Sequence, residues 1–139
     1  MPPPLIPGRI VWATIPDPNG VNPKRRAVVL LVGEKDLPTP SSPLLGVAVT
    51  STFKKPLAED QVSLSWNPQK AGTGLTKPCV AVCSWLVAIH RADIADNDIS
   101  GVVPPRQMVE IQQKVKVHVT ALPTELGSPP SATATGSDP

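Results

Sequence analysis

Tyrosine is absent from this 139-residue chain, and its only aromatic side chains are one phenylalanine and three tryptophans: Phe53, Trp12, Trp66 and Trp85. Any stacking on a ligand must draw on those four. Charge of either sign is also sparse. Thirteen lysines and arginines stand against 11 acids, a formal +2, so attraction for a polyanion has to come from local clustering rather than from the net field. The two cysteines, Cys79 and Cys83, lie four apart in a valine-rich run. On a strand that spacing spans about 13 Å, beyond the roughly 7 Å between Cα atoms that a disulfide tolerates. With neither a histidine nor a third cysteine beside them, a zinc site is excluded as well, and two small buried thiols in a reducing compartment are expected. No apolar run approaches the roughly 18 residues of a membrane span. The opening Met1-Pro2-Pro3-Pro4-Leu5-Ile6-Pro7 has no basic region and no apolar stretch of signal-peptide length, so a cytoplasmic protein without membrane contact is expected.

What the chain has in excess is proline, 19 residues, eight of them in residues 1–7 and 123–139. The length fits one domain and one core. Residues 1–7 are expected to be a flexible tail, residues 8–122 the folded domain, and residues 123–139 a disordered tail too poor in apolar residues to offset the entropy of ordering.

Within the domain, residues 9–15 and 26–32 are short runs of β-branched and aliphatic residues separated by Pro16, Pro18, Asn19, Gly20 and Pro23, which reads as strand, loop, strand. Three cations, Lys24, Arg25 and Arg26, fall where the second strand begins. A third strand is expected over residues 44–52 and a fourth over 61–66, where Val62, Leu64 and Trp66 share a face. The nearly continuous apolar run from Cys79 to Ile89, interrupted inside by Ser84, predicts a central strand buried on both faces. Val28, Leu30, Val47, Val49, Val80 and Val82 are expected in the core. After Pro104-Pro105 the residues Met108, Ile111, Val115, Val119 and Leu122 follow a helical spacing that Pro123 would end. Val115, Val117 and Val119 also alternate as in a strand, so periodicity leaves both readings open, and the helix is the expectation. Pattern alone thus predicts a mainly β domain, a bent antiparallel sheet or small barrel with a C-terminal helix.

Several stretches in this order resemble the MazF/PemK toxin family: Gly8-Arg9-Ile10-Val11-Trp12 with Asp17-Pro18, Arg26-Ala27-Val28-Val29-Leu30, Val47-Ala48-Val49-Thr50-Ser51, and Lys77-Pro78-Cys79-Val80-Ala81-Val82-Cys83. The resemblance covers roughly residues 8–122 and implies an SH3-like barrel, a homodimer, an antitoxin peptide as partner, and cleavage of single-stranded RNA without metal or cofactor. It carries the family's functional arginine and threonine onto Arg26 and Thr50. A guanidinium can hold two phosphate oxygens, and a threonine hydroxyl can donate to a third. The plainer alternative is that Arg26 covers a strand end and Thr50 satisfies a turn backbone. Lys24, Arg25, Ser51, Lys54 and Lys55 would form a nucleic-acid-binding rim.

The chain also departs from the family. Its first loop, Asn19-Gly20-Val21-Asn22-Pro23, has neither the Glu nor the His that many members carry there. Val82-Cys83-Ser84 replaces the Arg-Cys-Asp of plasmid-type members, Ala27 stands where proline is usual, and Arg9 where an acid is usual. His90 is the one imidazole beside a plausible site, although a surface or capping role is commoner for such a residue. Asp17 reads as a turn residue and His118 as structural. Trp66 and Phe53 flank loops from which they could stack on bases, while Trp12 and Trp85 suit the core. Two functions therefore compete, an endoribonuclease toxin and a non-catalytic module on the same fold that binds nucleic acid or an antitoxin-like peptide, with a gyrase-poisoning role, known for a related toxin fold, as a third option.

Overall fold

The computed structural model describes residues 3–69 and 72–118. Six strands appear: β1 (Arg9–Ile15), β2 (Lys24–Leu30), β3 (Leu44–Thr50), β4 (Gln61–Leu64), β5 (Cys79–Ile89) and β6 (Ile99–Val102), followed by the helix α1 (Pro105–His118). They form one antiparallel sheet in the order β4-β5-β3-β2-β1-β6, a curled half-barrel whose edge strands, β4 and β6, are not paired with each other. The segment after β4 fills that gap. Gly101 N–H donates to Thr73 O at 3.0 Å, and Asn67 N–H donates to Leu75 O at 2.8 Å.

Alternation along the central strands produces two cores, one on each face. Ile10, Ala27, Val29, Val47, Val49, Val62, Leu64, Ala81 and Cys83 turn to one face, where Met108 and Ile111 of α1 cover them. Val11, Ala13, Ile15, Val28, Leu30, Leu44, Ala48, Val87 and Ile89 turn to the other, covered by Leu5 and Ile94. Gly46 is required where β3 crosses β2, because a Cβ there would lie 2.5 Å from a Val28 methyl and 2.7 Å from Val29 O.

β5 is one strand with a sharp bend. Ala48 pairs with Val82 and the adjacent Val47 pairs with Leu86, so Cys83, Ser84 and Trp85 loop out between them. Asp60 holds this bulge, its carbonyl accepting from Cys83 N–H at 2.7 Å and its carboxylate from the Ser84 hydroxyl. Of the residues expected in the core, Val82 is only half-buried, because it sits at the bend. Trp66 lies past the end of β4 and is 46% exposed instead of sharing the buried face of Val62 and Leu64.

Packing begins ahead of Gly8. Leu5 is 2% exposed, and its carbonyl accepts from Glu34 N–H at 2.9 Å. Arg9 ties this segment down: its Nε donates to Pro4 O and its Nη1 to Ser100 O, both at 3.0 Å. The last part of the expected helix, residues 119–122, and the expected tail, residues 123–139, lie outside the described residues.

Candidate nucleic-acid interface

The three cations at the head of β2 continue the β1 ladder, with Lys24 opposite Ile15, Arg25 opposite Thr14 and Arg26 opposite Ala13. Strand alternation sends Arg25 and Arg26 to opposite faces, and each meets an aspartate from a different loop. Arg26 is 14% exposed in its side chain. Its Nη1 donates to Ile15 O and its Nη2 to Asp17 Oδ1, both at 2.5 Å, while the guanidinium lies 5.0 Å from the centroid of the Trp85 ring. Asp17 is itself fixed: Asn22 Nδ2 donates to Oδ2 at 3.1 Å, and the Asp17 backbone N–H and C=O bond to Val21 and Gly20. It is the turn residue expected, and also the partner of Arg26. Arg25, more exposed, forms an ion pair with Asp98 on the turn before β6. That hydrogen bond, aided by Ala95 N–H, holds the Asp98 carboxyl below its ordinary range.

Thr50 ends β3. Its hydroxyl oxygen accepts from Thr52 N–H at 3.0 Å, and its proton faces Thr52 O at a long 3.4 Å. The β2–β3 ladder ends at Val28 against Ala48, two residues short of Arg26 and Thr50, and both of these border the same groove. Around these strand ends runs a groove of about 320 Å³, walled by Lys24, Arg25, Arg26, Thr50, Ser51 and Thr52, with Trp12, Lys77 and Cys79 completing it. Among the described residues, four cations and three hydroxyls border it and no carboxylate does. Lys54 and Lys55 do not line it; both are exposed on the turn beyond it.

Lys77, Trp12, Thr52 and Cys79 line the groove without having been singled out as site residues in the sequence. Lys77 arrives because Thr50 pairs with Val80, which brings the start of β5 beside the end of β3. A lysine just before a strand signals an exposed cation but not which strand end it will face. Trp12 packs against the core as expected and also lines the groove.

His90 does not line this groove; it borders a separate cavity that Trp12, Asp17, Arg25 and Trp85 also line. His90 Nδ1 lies 3.3 Å from Ser41 O, beyond the end of β5 that pairs with Leu44. From Leu44 to Thr50, β3 covers about 20 Å at about 3.3 Å per residue, which removes His90 from the Arg26–Thr50 end. Cys79 and Cys83 are free and buried. Burial pushes both thiols up, Cys83 to about 11, with Asp60 and Glu110 adding to the effect and Lys114 opposing it. Neither is a thiolate near neutral pH.

No family model matches the chain, and no curated protein is significantly similar to it in sequence. Solved structures do share its fold. An endoribonuclease from a mycobacterial species is 15% identical, with 93% of this chain and 97% of that one aligned at a TM-score of 0.56. The MazE-MazF structure from Deinococcus radiodurans is 18% identical over 81% of this chain and 92% of that one, at 0.57. The Mycobacterium tuberculosis toxin MazF-mt6 is 17% identical over 78% and 94%, at 0.54. At such identities the likeness is one of backbone architecture. This chain has a MazF/PemK-like fold.

Proposed function

We propose that the chain is the toxin of a toxin-antitoxin pair, an endoribonuclease that grips single-stranded RNA in the groove at the heads of β2 and β5 and the end of β3, and cuts it without a metal ion. The observation that carries this reading is the convergence of Lys24, Arg25, Arg26 and Lys77 with the hydroxyls of Thr50, Ser51 and Thr52 on one carboxylate-free groove. Such a lining suits a phosphodiester backbone.

In the reaction, the 2′-oxygen attacks the adjacent phosphorus as it loses its proton. The P–O5′ bond breaks, the 5′-oxygen takes a proton, and a 2′,3′-cyclic phosphate remains. Charge builds on the non-bridging oxygens. Arg26 has five N–H donors, of which two are given to Ile15 O and Asp17, so Trp85 and Asp17 hold its plane while donors remain for the phosphate. The Thr50 proton, only weakly held by Thr52 O, is free to turn toward a further oxygen. Ser51, Lys24, Arg25 and Lys77 bind the flanking phosphates.

The likeness to a MazE-MazF structure supports an antitoxin peptide as partner, and a symmetric dimer would extend the groove over a longer stretch of RNA. One observation favours a second reading, a module that binds RNA or an antitoxin without cutting. The groove lining has neither imidazole nor carboxylate, and its one thiol is pushed up by burial.

The two separate on incubation of the purified protein with end-labelled single-stranded RNA in a chelator. Fragments ending in cyclic phosphate are expected. Binding without fragments under every condition tried would leave only the second reading.

A further inference from the structure

The cationic groove opens into a second recess of about 580 Å³, between the segment 72–77 and the residues around β6. The two share Trp12, Arg25, Lys77 and Cys79, so they are one continuous surface. The volume lies within the roughly 300–1,000 Å³ of small-ligand sites. Its walls are built for close approach. A Cβ on Gly101 would fall 1.7 Å from Gly72 O, and one on Gly74, at φ +81°, would fall 2.0 Å from Ser100 Oγ. Only glycines let these segments touch. The seam is held by the Ser100 hydroxyl and Gly101 N–H, which donate to Thr73 O at 2.9 and 3.0 Å, and by the buried Thr73 hydroxyl, which donates to Ser65 O at 2.7 Å. On the rim stands Asn97, exposed, with no side-chain hydrogen bond among the described residues.

We propose that this recess receives one nucleobase of the RNA whose phosphates lie along Lys24, Arg25 and Lys77, with Trp12 as the surface it stacks on and Asn97 as the residue that reads it. The inference rests on the RNA-binding reading above and adds a base preference to it. A ring set against indole gains stacking that every base supplies. Discrimination has to come from the edge. A carboxamide offers one acceptor and one donor side by side, the complement of adenine N6 and N7. Adenine is therefore the base expected in the recess. Arg25 is engaged by Asp98 and, like Lys77, supplies charge at the mouth rather than a pattern of donors and acceptors.

The test measures binding of 2′-fluoro hexanucleotides, which cannot undergo attack by a 2′-oxygen, to the intact chain and to Asn97→Ala and Asn97→Asp. Asn97 lies on an exposed turn, so both variants should melt as the parent does. The expected result is oligo(A) bound about tenfold more tightly than oligo(U), the scale of one bidentate base contact. Asn97→Ala should bring the ratio to within about twofold without changing the salt dependence, and Asn97→Asp, which can only accept, should favour oligo(C) over oligo(A). A preference that survives Asn97→Ala, or no preference in the parent, overturns the base recess while RNA binding stands. No binding of any oligonucleotide overturns both.

Discussion

The two adjacent arginines of β2 have different fates because strand alternation puts them on opposite faces. Arg26 is half enclosed and fixed by Trp85, Asp17 and Ile15 O, whereas Arg25 stays on the groove with Asp98 as its counter-ion. A phosphate reaching Arg25 must displace that carboxylate. The Asp98 pairing contributes to the fold above the ordinary carboxyl range and is lost as pH falls through its lowered pKa, so at neutral pH it is fully in place. Asp98→Asn should therefore strengthen RNA binding several-fold and steepen the log–log salt slope by about one, since Arg25 would then release a counter-ion on binding. Titrations at several salt concentrations check this, and an unchanged affinity and slope would mean that Asp98 does not compete with phosphate. The Arg26–Asp17 pair was not readable from the sequence. Asp17 carried a turn signal beside Pro18, but its partner depends on how the loop of residues 16–23 folds back on β2.

Where alternation ran long enough, the elements were legible. β1 and β5 span the residues expected from their apolar runs, and the helix starts at Pro105 as the proline pair implied. β2 begins two residues earlier than its apolar run because Lys24 and Arg25 pair with Ile15 and Thr14, and no hydrophobic pattern marks such pairing. β6 was missed altogether. Ile-Ser-Gly-Val is too short to show a period, and its strand state comes from pairing with β1 at Arg9 and Val11 and from the Thr73 carbonyl on its other side. The β5 bulge left one mark, Ser84 in an otherwise apolar run, without saying that the strand would bend there. Proline content made residues 1–7 look like a tail, yet Leu5 enters the core through bonds that no local pattern announces. Leu5→Ala should cost about 2–4 kcal/mol in chemical denaturation at an unchanged m-value. A loss under about 0.5 kcal/mol would return the segment to the status of a dispensable tail.

At the scale of the molecule, an open sheet creates the proposed site. β4 and β6 do not pair, so the segment 72–77 crosses the gap, carries Lys77 to the strand ends and forms the recess against β6. Antiparallel order followed from strand spacing. The groove did not, because it depends on registers between strands far apart in sequence, of which Thr50 against Val80 is the decisive one. Arg26 and Thr50 were proposed through resemblance; Lys77 stands inside a resembling stretch that gave it no role, and Asp98 and Asn97 lie in stretches that carry no such signature.

In the proposed reaction Arg26, held by Asp17 and Trp85, stabilises the transition state of RNA cleavage. The decisive measurement is the single-turnover rate of cutting single-stranded RNA, compared between the parent chain and Arg26→Ala at saturating protein and in the presence of a chelator. The expected result is a loss of about 10²-fold or more with RNA still bound, the scale of one preorganised donor removed. A variant that cuts as fast as the parent would contradict it.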